Sequence, residues 1–369
     1  MIVSLIIFII VLGLLIFVHE IGHFWVAKRA GIRVDEFGLG FPPRLWSFRF
    51  GETIYSLNLI PFGGFVRIYG EDPFDEQANN PGAYRSMATK PKLVQAAVLV
   101  AGVTFNLILA WILLSTGLIF GLPVNAENNF SFSVPLVEER LIITSVLNNS
   151  PADLAGLKPG DQIVSLAAQA TTIKPKTAEE ATEFIRSKTS GLEVQIKRQP
   201  IDLEEKQYFQ IKPKLSPAGT PLIGVSLEAI GILRLPWYLA PIDGLKLTFN
   251  LTKETARGLG YFLTQIFTDA SVFDSVAGPI GLVNLVGDAS RLGLVYLLSF
   301  MALISINLAI INLIPFPALD GGRLLFLAIE AIKGSKLNPK VAGWANLIGF
   351  FCLIALMVVV SYFDVVKLL

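Results

Sequence analysis

The chain has 369 residues, 53% of them hydrophobic and only 16% charged, with a mean hydropathy of +0.61 and a formal net charge of +1. These values exclude an ordinary soluble globular protein. The balanced charge, without clustered Lys and Arg, excludes nucleic acid as a partner. The single cysteine, Cys352, excludes an intrachain disulfide and reads as a lipid-facing or packing residue within an apolar stretch.

Four apolar windows, residues 2–27, 93–121, 294–314 and 341–362, reach the roughly 20 residues needed to cross a hydrocarbon core. The first lacks a basic leader and a small-residue cleavage pattern, so it is expected to be a retained helix rather than a signal peptide. Both histidines of the chain lie near its end, in His19-Glu20-Ile21-Gly22-His23. A helix turns about 100° per residue, which stacks positions i and i+4 on one face. Two imidazoles so placed can share one tetrahedral cation, and the glutamate between them can reach a water beside it.

Between the first two windows, residues 44–69 alternate in character and are punctuated by Pro61-Phe62-Gly63-Gly64-Phe65. This pattern predicts a β-hairpin or small sheet, and its aromatic content predicts association with the membrane interface. Gly38-Leu39-Gly40-Phe41 reads as a Gly-rich turn leading into that sheet, and residues 71–82 as a polar, acidic loop. Farther on, Ser150-Pro151-Ala152-Asp153-Leu154-Ala155-Gly156-Leu157-Lys158-Pro159-Gly160-Asp161 lies among predicted strands at 141–146, 192–198 and 208–213 and a helix at 178–188. This mixture predicts a compact α+β module, and the stretch resembles a PDZ domain of the bacterial arrangement. Residues 237–267 are amphipathic, which predicts a helix lying on the membrane surface rather than a fifth crossing.

Nine basic residues lie between Phe24 and Lys92, and Arg323, Lys333, Lys336 and Lys340 lie between the last two windows. Short basic loops stay in the cytoplasm, so residues 122–293 and both termini are expected outside. The 18 residues before His19 then carry it about 27 Å deep. The third window descends from the same side towards Asn312-Leu313-Ile314-Pro315-Phe316-Pro317-Ala318-Leu319-Asp320-Gly321-Gly322, which puts Asp320 at a similar depth.

An aspartate at the centre of a membrane helix costs about 3 kcal/mol, so ionisable groups at one depth are functional candidates. On this reading His19, His23 and Asp320 bind one Zn2+ per chain, and Glu20 acts as general base and acid. Asn312 and Asn106 are candidates for substrate positioning or oxyanion stabilisation. Pro315 and Pro317 break the helix ahead of Asp320, and Gly321 and Gly322 permit close approach or positive φ. Composition alone also allows Asp320 to be an interfacial charge at a helix end, and the asparagines to be interhelical hydrogen-bond links.

The paired motifs at 19–23 and 312–322, with the PDZ-like stretch between the second and third windows, resemble intramembrane metalloproteases of the site-2 protease family, of the bacterial regulator-of-sigma-E protease type. Ala277-Gly278-Pro279-Ile280-Gly281 matches the same pattern. The resemblance implies zinc-dependent hydrolysis of peptide bonds within transmembrane segments of single-span proteins, such as anti-sigma factors or signal-peptide remnants, after another protease has trimmed them. A bacterial inner membrane is expected, with a plastid envelope or thylakoid as the alternatives, and the charge placement puts the active site towards the cytoplasm. Two departures stand out. Valine occupies position 103 in Ala101-Gly102-Val103-Thr104-Phe105-Asn106, where the family usually has proline, so a straighter second helix is expected. Only one PDZ module fits, where the best-studied relatives have two.

The expected architecture is therefore a polytopic α-helical membrane protein with a membrane-associated β-sheet and an extracytoplasmic α+β PDZ domain. Its divisions are 1–122 (helices one and two with the zinc motif), 133–228 (PDZ), 229–293 (amphipathic linker) and 294–369 (helices three and four with the Asp-Gly motif). Two other classes fit the residues less well. A non-catalytic PDZ-bearing membrane scaffold or chaperone has no need of Glu20, and a transporter is expected to show internal repeats, which are not seen here.

Overall fold

The computed structural model describes residues 2–71, 83–125, 137–147, 149–169, 171–188, 191–198, 206–215, 219–265 and 278–368. The chain divides into two compact units. One comprises Met1–Ser115, Gly244–Arg291 and Leu297–Leu369, and the other Thr116–Asp243 and Leu292–Tyr296. The expected acidic loop at 71–82 lies outside the described residues except for Glu71, as does Ala277.

The first unit opens with helix α1 (Ile2–Arg29), whose buried residues Phe8, Val11, Leu15, His19, Gly22, His23 and Ala27 recur every three or four positions. That spacing makes one stripe along a helix, and the histidines continue a stripe begun by apolar side chains. Lys28 and Arg29 close the last turn, where cations favour the helix dipole. Two long strands follow, β1 (Val34–Phe50) and β2 (Thr53–Ile68). Phe50 pairs with Thr53 and Phe48 with Tyr55 around the Gly51-Glu52 turn, while Leu39 pairs with Gly64 and Val34 with Ile68. Between these, Phe37 also faces Tyr55 and Leu39 faces Leu57. The two strands thus form four adjacent stretches in the order 44–50, 53–60, 34–41 and 64–68, with 64–68 at an edge.

The sheet begins at Val34, ten residues before the expected start, and Gly38–Phe41 is strand rather than turn. The physical reason lies in the packing. A β-carbon on Gly38 would stand 2.5 Å from the Phe65 ring, so the glycine serves a close cross-strand contact instead of a reversal.

Two 3-10 turns, Ala83–Arg85 and Met87–Thr89, lead into helix α2 (Lys92–Phe120), which runs unbroken through Val103. Ala27, Ile32, Val34, Ile68, Met87, Val98 and Leu99 form one buried cluster that locks the end of α1, the sheet and the start of α2 together.

The second unit contains strand β3 (Leu122–Asn125), strand β4 (Val137–Val146), helix α3 (Pro151–Ala155), strands β5 (Gln162–Ala168) and β6 (Thr171–Ile173), and helix α4 (Ala178–Arg186). Strands β7 (Leu192–Lys197), β8 (Lys206–Ile211), β9 (Lys214–Leu215), β10 (Pro221–Leu222) and β11 (Val225–Leu233) complete it. The main sheet runs β3-β11-β4-β5-β7-β8, with β6 paired to β5. The motif at 150–161 explains itself locally. Ser150 caps α3 by accepting from the Asp153 amide, and Gly156 ends it at φ 90°. The buried Asp161 carboxylate then holds the Arg198 guanidinium at 2.6 and 2.7 Å. Leu141, Ile143, Leu166, Leu192, Val194 and Ile196 lie at the centre of this unit's core. Strand β3 and the end of β11 fall outside residues 133–228.

The chain then runs through α5 (Ala240–Gln265), α6 (Pro279–Leu292), α7 (Leu294–Leu313), α8 (Asp320–Lys333) and α9 (Pro339–Leu368). Asp364 of α9 accepts from the amides of Gly278 and Gly281 and so caps α6. Among the described residues four helices, α1, α2, α7 and α9, are long and apolar enough to cross a membrane. Helix α8 occupies what reads in the sequence as a basic connection.

Candidate metal centre

The site is built where α1, α2 and the start of α8 meet. Helices α1 and α2 approach until their backbones touch, because a β-carbon on Gly22 would stand 2.5 Å from the Ala101 carbonyl oxygen. At that crossing His23 Nδ1 donates to the Val98 carbonyl oxygen at 2.8 Å, which leaves its Nε2 lone pair free.

Asp320 reaches the same point from the other end of the chain. Helix α7 stops at Leu313, and Pro315 and Pro317 prevent its continuation. Ala318 then adopts φ 75°, a left-handed conformation unusual outside glycine, and the chain turns into α8 at Asp320. A β-carbon on Gly321 would lie 2.3 Å from the carbonyl oxygens of Leu313 and Ile314, so the turn closes over a bare backbone. Asp320 is a helix-terminal residue, as the alternative reading allowed, and its carboxylate faces both imidazoles.

The three donor atoms form a nearly equilateral triangle. His19 Nε2 is 3.2 Å from His23 Nε2 and 3.2 Å from Asp320 Oδ2, and His23 Nε2 is 3.3 Å from Asp320 Oδ2. Both histidines are buried, and among the described residues Asp320 Oδ2 is a buried oxygen without a hydrogen-bond donor. Ligands at the corners of a tetrahedron with bonds of about 2.0 Å are about 3.3 Å apart. The residues therefore fit a zinc ion in identity, in spacing and in the uncompensated oxygen. Among the described residues this is the one cluster of three or more His, Cys, Asp or Glu able to hold a metal.

Glu20 is half-buried, outside the triangle but within electrostatic reach of His19, His23 and Asp320. Its Cγ would lie 3.1 Å from a β-carbon on Gly64, so the edge stretch of β2 packs directly against it. Asn312, on the last turn of α7, brings Nδ2 to 3.4 Å from His19 Nε2 and borders the triangle. Asn106 is fully buried on α2 and lies on the opposite side of the same ring, with Nδ2 3.3 Å from His19 Nδ1.

Three participants escape sequence reasoning. The Val98 carbonyl carries no side-chain signature. Gly102 faces the imidazoles from α2, and although it lies in the family-like stretch 101–106, nothing in that stretch assigns it this contact. Arg323 on α8 pairs with Glu71 beyond the end of β2, tying the Asp320 helix to the sheet, and in the sequence it reads only as a basic loop residue.

Comparison with known proteins supplies the family. The profile of peptidase family M50 matches residues 7–356. A Clostridium perfringens relative is 33% identical over 95% of this chain and 95% of its own. The zinc metalloprotease RasP of Geobacillus kaustophilus is 29% identical over 99% of this chain and 98% of its own. The regulator of sigma-W protease RasP of Bacillus subtilis is 28% identical over 99% of both chains. A solved PDZ domain of the SdrC-like protein of Listeria monocytogenes aligns with 26% of this chain and 93% of its own, at 24% identity and a TM-score of 0.21, too low to carry a fold assignment. The chain belongs to peptidase family M50, the site-2 protease family of zinc metalloproteases.

Proposed function

We propose that this zinc metalloprotease hydrolyses peptide bonds within the transmembrane segments of single-span membrane proteins, with His19, His23 and Asp320 as the zinc ligands and Glu20 as the catalytic base. The observation that carries the reading is the donor triangle at the ends of apolar helices, with a glutamate and an open sheet edge beside it. Zinc bound there supplies Lewis acidity, which polarises a carbonyl and acidifies water. Glu20 takes a proton from the attacking water and delivers it to the leaving amide nitrogen. The Asn312 amide, at the rim of the triangle, donates to the oxygen of the carbonyl under attack.

A helical substrate hides its peptide bonds in intrahelical hydrogen bonds and must unwind first. Residues 64–68 pair on one side only among the described residues, so an unwound substrate segment adds as a strand at that edge, next to Glu20. Exposed Phe41, Leu45, Trp46, Phe48 and Phe50 on the same sheet suit the membrane interface. The second unit is read as a PDZ domain on the extracytoplasmic side of a bacterial inner membrane, excluding substrates not yet trimmed by another protease. A groove of about 570 Å³ between α4 (Thr182, Ile185, Arg186) and Leu222–Leu227 favours a second role for it, holding an extended peptide end. The test is Glu20→Gln, compared with wild type by membrane proteomics. Accumulation of single-span stubs with zinc retained supports the reading, and an unchanged proteome rejects it.

A further inference from the structure

A histidine that ligates zinc through Nε2 must carry its proton on Nδ1, and that proton needs an acceptor. His23 has one in the Val98 carbonyl at 2.8 Å. Among the described residues His19 has none from the backbone, and its Nδ1 faces the side-chain amide of Asn106 at 3.3 Å. Asn106 is fully buried, and among the described residues its Oδ1 has no hydrogen-bond partner. We propose that Asn106 is the positioning residue of His19, its Oδ1 accepting the Nδ1 proton so that the Nε2 lone pair points into the zinc site. This inference rests on the ligand set proposed above.

The two ends of a carboxamide have nearly the same shape, and rotation by 180° exchanges donor for acceptor at one place. With nitrogen towards His19, Nδ1 becomes the acceptor and the proton moves to Nε2. It then points at His23 Nε2 and Asp320 Oδ2, 3.2 Å away each, and one ligand is lost. With oxygen towards His19, all three donor atoms present lone pairs to one point. Either orientation leaves one end of the amide without a protein partner, so counting hydrogen bonds does not choose between them. The imidazole does. Ser305 Oγ donates to the Asn106 backbone carbonyl at 2.8 Å, which fixes this turn of α2 against α7. Asn312 lies on the Nε2 side of the same ring, so the two asparagines divide the work, with Asn312 at the reaction and Asn106 behind its ligand.

The test measures zinc affinity of the full-length, detergent-solubilised chain by chelator competition. Asn106→Leu, which keeps the volume and removes the acceptor, should weaken zinc roughly 10–100-fold, the range for lost partners of metal-bound histidines. Asn106→Asp, which accepts but cannot donate, should hold zinc as the wild type does. Wild-type affinity in Asn106→Leu overturns the proposal, as does an Asn106→Asp variant that loses zinc as far as Asn106→Leu. If Asn106→Leu fails to fold, Asn106→Ala, which also removes the acceptor, takes its place: weakened zinc is expected, and wild-type affinity in that variant overturns the proposal. A wild-type chain that binds no zinc overturns the ligand set together with this inference, whereas a zinc-binding wild type matched by Asn106→Leu overturns the inference alone.

Discussion

A β-carbon placed on Gly102 would stand 2.3 Å from Nε2 of His23, closer than any two such atoms can lie. The zinc motif on α1 therefore depends on one missing side chain on α2. Gly102→Ala should improve the intrinsic helix propensity of α2 by about 1 kcal/mol. It should also push the imidazoles out of register with Asp320. The expected result is a folded protein with zinc content and peptide cleavage both reduced at least about tenfold, given how steeply metal affinity follows ligand orientation. Metal analysis beside a thermal melt checks it.

The sheet edge offers a sharper test of substrate engagement. Along 64–68 successive amides alternate between the β1 ladder and the open edge. Single prolines at Phe65, Val66 and Arg67 should therefore divide into two kinds. Those removing a ladder hydrogen bond destabilise the sheet. Those removing an edge N–H spare stability and zinc while cutting cleavage of a transmembrane substrate by about tenfold, the worth of one or two hydrogen bonds. Full turnover in every proline variant would remove the strand-addition step.

Glu52, at the hairpin turn, predicts a pH dependence. Its carboxylate accepts from Arg85 Nη1 and Nη2 and from Lys28 Nζ, each at 2.6 Å. The Arg85 hydrogen bonds, followed by that of Lys28, lower its pKa to about 2. A carboxylate with a folded pKa below its unfolded one stabilises fully above the unfolded value, near 4.3. That contribution is lost as pH falls from there towards 2. Wild type should lose thermal stability across this window, and Glu52→Gln should show a lower plateau with a flatter acid limb. Identical acid limbs would contradict the assignment.

Much of the site was legible in the sequence because helical periodicity is local. Positions 19, 20 and 23 needed only a 3.6-residue repeat, whereas a count of residues put Asp320 at their depth and only the family resemblance put it among the ligands. What was not legible depended on contacts between distant segments. Residues 320–333 read as a basic connection because Arg323 and Lys333 resemble loop charges, yet Leu327 of α8 is buried against the α1–α2 cluster. Gly38 and Gly40 imitated a turn, and only Phe65 across the strand explains the first. Strand β11 pairs with both β3 and β4, so its extent to Leu233 follows from partners about 100 residues away. The Val98 carbonyl belongs to the backbone, and no residue type announces it.

The second unit should be separable from the chemistry. Replacing residues 136–215 with a short flexible linker should leave zinc content unchanged and allow cleavage of substrates that keep a bulky outer domain. Loss of cleavage of trimmed substrates instead would assign the module to peptide binding through the α4 groove.

On the proposed ligand set, His19, His23 and Asp320 together hold one zinc ion. X-ray absorption at the zinc edge on the purified Glu20→Gln protein, with total metal analysis, tests it most directly. The expected result is one zinc per chain with two imidazoles and only nitrogen and oxygen ligands at about 2.0 Å, and loss of that signal in Asp320→Ala. A chain without stoichiometric zinc, or an unchanged spectrum in Asp320→Ala, would contradict it.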